Sequence, residues 1–120
     1  VSPLNNMFRM ALTDDVVGGQ PVKAGDRFVM LYPSANHDES VFSDPFTFDI
    51  RRHPNPHLSF GFGTHLCIGA NLARLVLISV FRELSRKATH LEVVTEPDVE
   101  ANIFARAVKS FTMRVSPRVV

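Results

Sequence analysis

The only cysteine of the chain, Cys67, stands in the segment Phe60-Gly61-Phe62-Gly63-Thr64-His65-Leu66-Cys67-Ile68-Gly69. Two glycines precede it and one follows. Glycine permits positive φ and close approach of backbone to a ligand. The strongest helical pattern of the chain begins directly after the cysteine, over residues 68 to 88. Unpaired N–H groups and the dipole at a helix amino end favour a thiolate over a thiol. A sulfur anion on a tight, glycine-shaped loop suits a soft metal ligand or a nucleophile. The plainer reading is a small buried hydrophobe, the commonest fate of a lone cysteine. His57, His65 and Cys67 do not have the spacing of a four-ligand zinc site. A Cys67–His65 catalytic pair, two residues apart, has no third group to orient it. The glycines do not follow the strand-then-GxGxxG order of a nucleotide fingerprint.

The elements that must position this loop fall into three zones. Residues 1 to 33 read as strands and turns. Phe8, Met10 and Leu12 alternate with Arg9 and Ala11, Val17 to Val22 reads as a turn between extended pieces, and Phe28 to Tyr32 reads as a strand buried on both faces or one turn of buried helix. The flanking Gly25 and Pro33 favour the strand. Residues 34 to 66 are poor in regular structure and rich in Pro and Gly; Ser34 is expected to cap a short helix there. So long an irregular stretch usually has a function. In the helix after Cys67, the residues Leu72, Leu75, Val76, Ile78, Val80, Phe81 and Leu84 occupy more than one face, the mark of a buried helix. Arg82, Glu83, Arg86 and Lys87 gather in its last turns, where cations suit the dipole. Leu91 to Val94 and Phe111 to Val115 read as strands.

Composition narrows the function classes. The chain has 120 residues, enough for one small domain, and 45% are apolar. Thirteen Lys and Arg balance twelve Asp and Glu for a net charge of +1; a nucleic-acid partner normally demands a marked basic excess. No apolar run approaches the ~20 residues of a membrane helix. The amino end, VSPLNNMFRM, lacks the apolar stretch of a signal peptide. A single cysteine fits a reducing compartment. The chain opens on Val1 inside an apparently structured segment, so it is expected to be a fragment that leaves some apolar surface without partners.

The ligand segment resembles that of a known family. Phe60-x-x-Gly63-x-x-x-Cys67-x-Gly69 is similar to the haem-ligand signature of the cytochromes P-450, and the likeness continues through Ala70-Asn71-Leu72-Ala73-Arg74 as in soluble bacterial members. Upstream, Ala35-Asn36-His37-Asp38-Glu39 resembles the family's alanine-asparagine-arginine-aspartate segment, with His37 in place of the arginine. Phe42-Ser43-Asp44-Pro45 and Phe48-Asp49-Ile50-Arg51-Arg52 resemble its irregular meander, and Asn55-Pro56-His57-Leu58 leads into the signature as in actinobacterial members. The last thirty or so residues match least.

The resemblance implies a mainly α fold with small β-sheets, of which residues 1–120 would form the C-terminal haem-binding part. That part would comprise strands, the meander, the ligand loop, a long buried helix and a C-terminal β-hairpin. It would lack the distal helix that delivers protons to bound oxygen, so no complete catalytic set would be present and the isolated fragment would be inactive. The cofactor implied is haem b, with Cys67 the iron ligand, a thiolate that pushes electron density toward bound oxygen. His65 and Arg9 would hold the two propionates. Phe60 would shield the sulfur, and Gly61, Gly63 and Gly69 would let backbone approach the haem and point N–H groups at the sulfur. Arg52 would pair with groups on a preceding helix. The activity implied is insertion of one oxygen atom from O₂ into an apolar organic substrate, with electrons from a ferredoxin- or flavodoxin-type donor, in the cytoplasm. The alternative is a haem-thiolate sensor or peroxide-driven protein without monooxygenase turnover. Arg74, Arg82, Arg86 and Lys87 would steer an acidic donor. Pro3, Leu4, Asn5 and Met7 fall in a region that borders the family's pocket and suit a bulky lipid, terpenoid or steroid; Phe104 falls where the family makes substrate contacts. Plainer readings stand beside these: Arg9 and Arg52 as solvated charges, His57 as a structural hydrogen-bonding residue, Phe104 as core, and the helix cations as ordinary solvated groups.

Overall fold

A computed structural model describes residues 2–119. The chain divides into two compact units, Val1–Ser59 with Asn102–Arg106, and Phe60–Ala101 with Ala107–Val120.

In the first unit, β1 (Asn6–Met10) pairs antiparallel with β4 (Arg27–Leu31), placing Phe8 opposite Val29 and Arg9 opposite Phe28. Between them β2 (Asp15–Val17) and β3 (Gln20–Val22) form a hairpin that turns at Gly18-Gly19. Asp14 braces this hairpin: its carboxylate accepts from Lys23 Nζ at 2.7 Å and from the Ala24 N–H at 2.9 Å. Those two donors, Lys23 first, hold the Asp14 carboxyl below its ordinary range. The strand expected over Phe28 to Tyr32 is present, but not buried on both faces. Phe28 and Met30 are half-buried while Val29 and Leu31 are exposed, the alternation of a strand with one covered face. Tyr32 leaves the strand to open α1 (Tyr32–Ala35). Ser34 does not cap this helix, because Leu31 takes the N-cap position and Pro33 sits in the first turn, where its missing N–H costs nothing.

The segment from Asn36 to Ser59 has no regular element among the described residues, yet its backbone is tied down by side chains. Asn36 Nδ2 donates to Ser2 Oγ at 2.6 Å and Ser59 Oγ at 3.2 Å, while its Oδ1 accepts the Leu58 N–H at 2.7 Å. Asp38 accepts from the Ser40 hydroxyl and N–H, which hold its carboxyl below the usual carboxylate range. The His37 ring stacks on Phe46 with centroids 5.0 Å apart. Residues 102–106 close the unit. The Asn5 N–H donates to the Phe104 carbonyl and the Arg106 N–H to that of Pro3, both at 2.8 Å.

The second unit carries the long helix α2 (Ala70–Lys87), which starts two residues later than the apolar pattern suggested. Its last cations, Arg86 and Lys87, lie 3.7 and 3.4 Å from Glu83 carboxylate oxygens. β5 (Ala88–Val93) follows and pairs with β8 (Met113–Pro117), with Leu91 opposite Val115. Across this ladder Arg114 bonds Glu92 at 2.6 Å. The short strands β6 (Asp98–Val99) and β7 (Val108–Ser110) make a second ladder.

One expectation is corrected here: strand residues outnumber helical ones among the described residues, so "mainly α" does not describe them. The expectation of apolar surface without partners is met on α2, where Ala70 is the one buried residue and Leu72, Leu75 and Phe81 are each more than 60% exposed. Its apolar pattern calls for layers of structure that the described residues do not supply. The buried apolar residues among them are Tyr32, Phe42, Ala70 and Ala88.

Candidate functional site

The loop that carries Cys67 is closed by its own backbone. The Cys67 N–H donates to the Phe60 carbonyl at 2.7 Å, and the Leu66 N–H to that of Gly63 at 3.0 Å, around a single 3₁₀ turn, Gly63–His65. So tight a closure depends on glycine at two points. Gly61 has φ +75°, and a Cβ there would lie 2.9 Å from the His65 carbonyl oxygen; Gly63 has φ +64°. An L-residue reaches the left-handed region only at a cost. Gly69 differs: its φ is negative, and a Cβ would meet Cys67 Sγ at an ordinary 3.8 Å. Gly69 is the N-cap of α2, and the Cys67 carbonyl accepts the Ala70 N–H at 3.1 Å. Cys67 thus lies just before the helix rather than in its first turn.

Cys67 is exposed, not the buried hydrophobe that a lone cysteine usually is. Around it the loop exposes Phe62, Leu66 and Ile68, the last fully. Phe60 is half-buried, and the Arg74 guanidinium lies over its ring, 4.8 Å from the centroid. Among the described residues no group of three or more His, Cys, Asp or Glu could hold a metal ion. A bare ion therefore finds no protein cage here. A metal that brings a planar set of ligands with it needs only one soft protein donor and an apolar collar, and this loop offers both. The residues fit a haem iron.

The other residues singled out from the sequence fall as follows. Phe60, Gly61, Gly63, His65, Cys67 and Gly69 all belong to this loop, with His65 exposed at the end of the 3₁₀ turn. Arg9 belongs to the first unit. It lies on β1, donates to the Phe8 carbonyl at 2.8 Å, and with Phe8, Met10 and Arg27 lines a groove of about 350 Å³. His57 is half-buried and its Nδ1 accepts the Ser59 N–H at 3.2 Å, a structural role. Arg52 donates to three carbonyls of its own meander, those of Ser43, Asp44 and Thr47. It is a fastener of that loop rather than a solvated charge. Sequence reasoning missed the Arg74–Phe60 stack, the Asn36 bonds and the docking of Phe104 on Asn5. The first two involve residues of quoted motifs, but nothing in spacing alone says which side chains meet.

An exposed cysteine on a glycine-shaped loop that leads into a long helix fits the haem-thiolate class that the resemblance implied. The family model for cytochrome P450 matches residues 1–111, and the chain belongs to that family. It is 44% identical over 113 residues to cytochrome P450-terp of a Pseudomonas species, covering 94% of this chain and 26% of that protein. It is 46% identical over 98 residues to the steroid C26-monooxygenase of Mycobacterium bovis, covering 81% and 23%. Among solved structures, CYP108D1 from Novosphingobium aromaticivorans superposes with a TM-score of 0.90 at 37% identity, covering 97% of this chain and 28% of that one. CYP109E1 from Bacillus megaterium, in complex with testosterone, gives 0.86 at 31% identity, covering 98% and 33%. The chain thus spans about a quarter of the length of the curated relatives it matches. No helix of the described residues is long and apolar enough to cross a membrane.

Proposed function

We propose that the whole protein to which this chain belongs is a haem-thiolate monooxygenase, with Cys67 the proximal ligand of haem b. The observation that carries this is the exposed Cys67 sulfur on a loop closed by the Phe60 carbonyl. Bound haem would supply oxygen activation. The balance is one O₂, two electrons and two protons per substrate, giving a hydroxylated product and water. This chain's residues would hold the iron from one side through Cys67. His65 and Arg9 would bond the propionates, charge-assisted contacts of the stronger sort. Phe60 would keep water from the sulfur, and the glycine positions would admit the macrocycle against the backbone.

We assign the substrate to bulky apolar compounds of the terpenoid, steroid or lipid kind. The names of two relatives, cytochrome P450-terp and steroid C26-monooxygenase, support this. Electrons would come from an acidic ferredoxin- or flavodoxin-type donor steered by Arg74, Arg82, Arg86 and Lys87, in the cytoplasm. Glu83 offsets part of the charge of Arg86 and Lys87.

The test is spectroscopic. The full-length, haem-loaded protein is reduced and treated with carbon monoxide. A strongly red-shifted Soret band, lost in Cys67→His, is the expected result. A histidine-type spectrum in the unmutated protein refutes the assignment.

A further inference from the structure

We propose that Arg74 is a positioning residue for the haem ligand, acting through the ring of Phe60. The inference rests on the haem-thiolate reading and goes beyond the role of Arg74 in steering a redox partner. The geometry is local to one unit. Arg74 is the fifth residue of α2, where the helix is already regular, with the Ala73 N–H bonded to the Gly69 carbonyl at 2.8 Å. Its guanidinium lies 4.8 Å from the Phe60 centroid, inside the range in which a cation is attracted to the ring face. Phe60 in turn accepts the Cys67 N–H through its carbonyl at 2.7 Å.

One residue is therefore gripped twice. Its backbone closes the ligand loop, and its ring is held by the helix that the loop leads into. Release of the ring would weaken one hold on the residue that accepts the Cys67 N–H. No ion pair between Arg74 and a carboxylate is present among the described residues, in contrast to Arg86, Lys87 and Arg114. Its charge therefore stays available to the ring. The planar guanidinium suits stacking better than an ammonium, yet a lysine keeps the cation, which makes Arg74→Lys an informative control.

The experiment uses the full-length, haem-loaded protein. Two quantities are read: the rate at which the ferrous carbon monoxide complex loses its red-shifted band under mild heating, and the ferric/ferrous potential. Arg74→Gln is expected to lose the band several-fold faster and to shift the potential, since the residue that accepts the Cys67 N–H is then held less firmly by its ring. Arg74→Lys should retain part of the unmutated behaviour. On a Phe60→Leu background, Arg74→Gln should add little, the non-additivity of residues that act as one unit. Unchanged band loss and potential in Arg74→Gln overturn the proposal, as does an undiminished Arg74→Gln effect without the Phe60 ring. Partner steering alone predicts only altered salt dependence of reduction, with band and potential unmoved. An unmutated protein without the shifted band overturns the haem-thiolate reading itself, and this assignment with it.

Discussion

The ligand loop and the meander before it are both irregular, and they are held in opposite ways. The ligand loop, residues 60–69, is shaped by backbone: two positive-φ glycines, one 3₁₀ turn and two carbonyl-to-amide closures. The side chains of His65, Cys67 and Ile68 stay exposed. The meander does the reverse. Arg52, Asp38, Asp49 and Asn36 all bond to nearby backbone. Apart from Phe60, under Arg74, the loop around Cys67 leaves most of its side chains exposed and takes its shape from main-chain geometry. A supporting loop has no ligand to serve and can use its side chains to stiffen itself.

Substitutions can break this comparison, and the largest effect is expected at Gly61. Gly61→Val places a branched side chain at φ +75° against the His65 carbonyl. A left-handed L-residue costs about 1–2 kcal/mol before any clash, so the full-length protein should be produced with little bound haem. Gly69→Ala should keep the loop closed, because its Cβ meets only an ordinary contact. Equal haem content in both variants would mean that backbone geometry does not shape the loop.

The propionate assignments come next. Loss of a hydrogen bond to a charged group costs about 1.5–3 kcal/mol. His65→Ala and Arg9→Ala should each speed haem dissociation by roughly tenfold or more without moving the thiolate spectrum. Unaltered dissociation in either variant removes that residue from the assignment.

Arg52→Ala tests the other side of the comparison. It frees the carbonyls of Ser43, Asp44 and Thr47. Water can reach these groups, so a loss of about 1 kcal/mol is expected in urea unfolding. The carbon monoxide spectrum should be unchanged. A spectral change instead would show that the meander shapes the ligand site directly.

The smallest effect belongs to Asp14. Its carboxyl is held below the unfolded value of 3.8 by Lys23 and Ala24, so its contribution is present above that value and fades as pH falls below it. Asp14→Asn should therefore lower the unfolding midpoint slightly at pH 7 and converge with the unmutated protein once the pH has fallen below the lowered carboxyl range. The pair is exposed, and identical midpoints at pH 7 would mean that it contributes nothing measurable.

Much of this architecture was legible in the chain. The glycine spacing around Cys67, the β2–β3 turn, the long helix and the strands at either end are local patterns, decided by residues a few positions apart. The proposed ligand role of Cys67 comes from the resemblance to the cytochrome P-450 signature, since spacing alone leaves several roles open to a lone cysteine. Misreadings came where position in three dimensions matters. Ser34 seemed a cap until Pro33 proved to fill the helix's first turn. The apolar run Phe28 to Tyr32 suits burial on both faces, but burial depends on what lies against a strand, not on its composition, and Val29 and Leu31 are exposed. The apolar faces of α2 correctly signal a helix made for burial, yet no described residue covers most of them.

The sequence by itself determined the family and the backbone shape of the loop around Cys67, because these follow from residue type and short-range sterics. Tertiary structure alone decided which side chains meet across long separations. It brought the side chain of Asn36 to Leu58 and Ser59, and that of Asn5 to the Asn102 carbonyl. It also set Arg74 over Phe60. A polar or cationic side chain has many partners of similar chemistry within reach in an unfolded chain. Only the folded backbone selects among them.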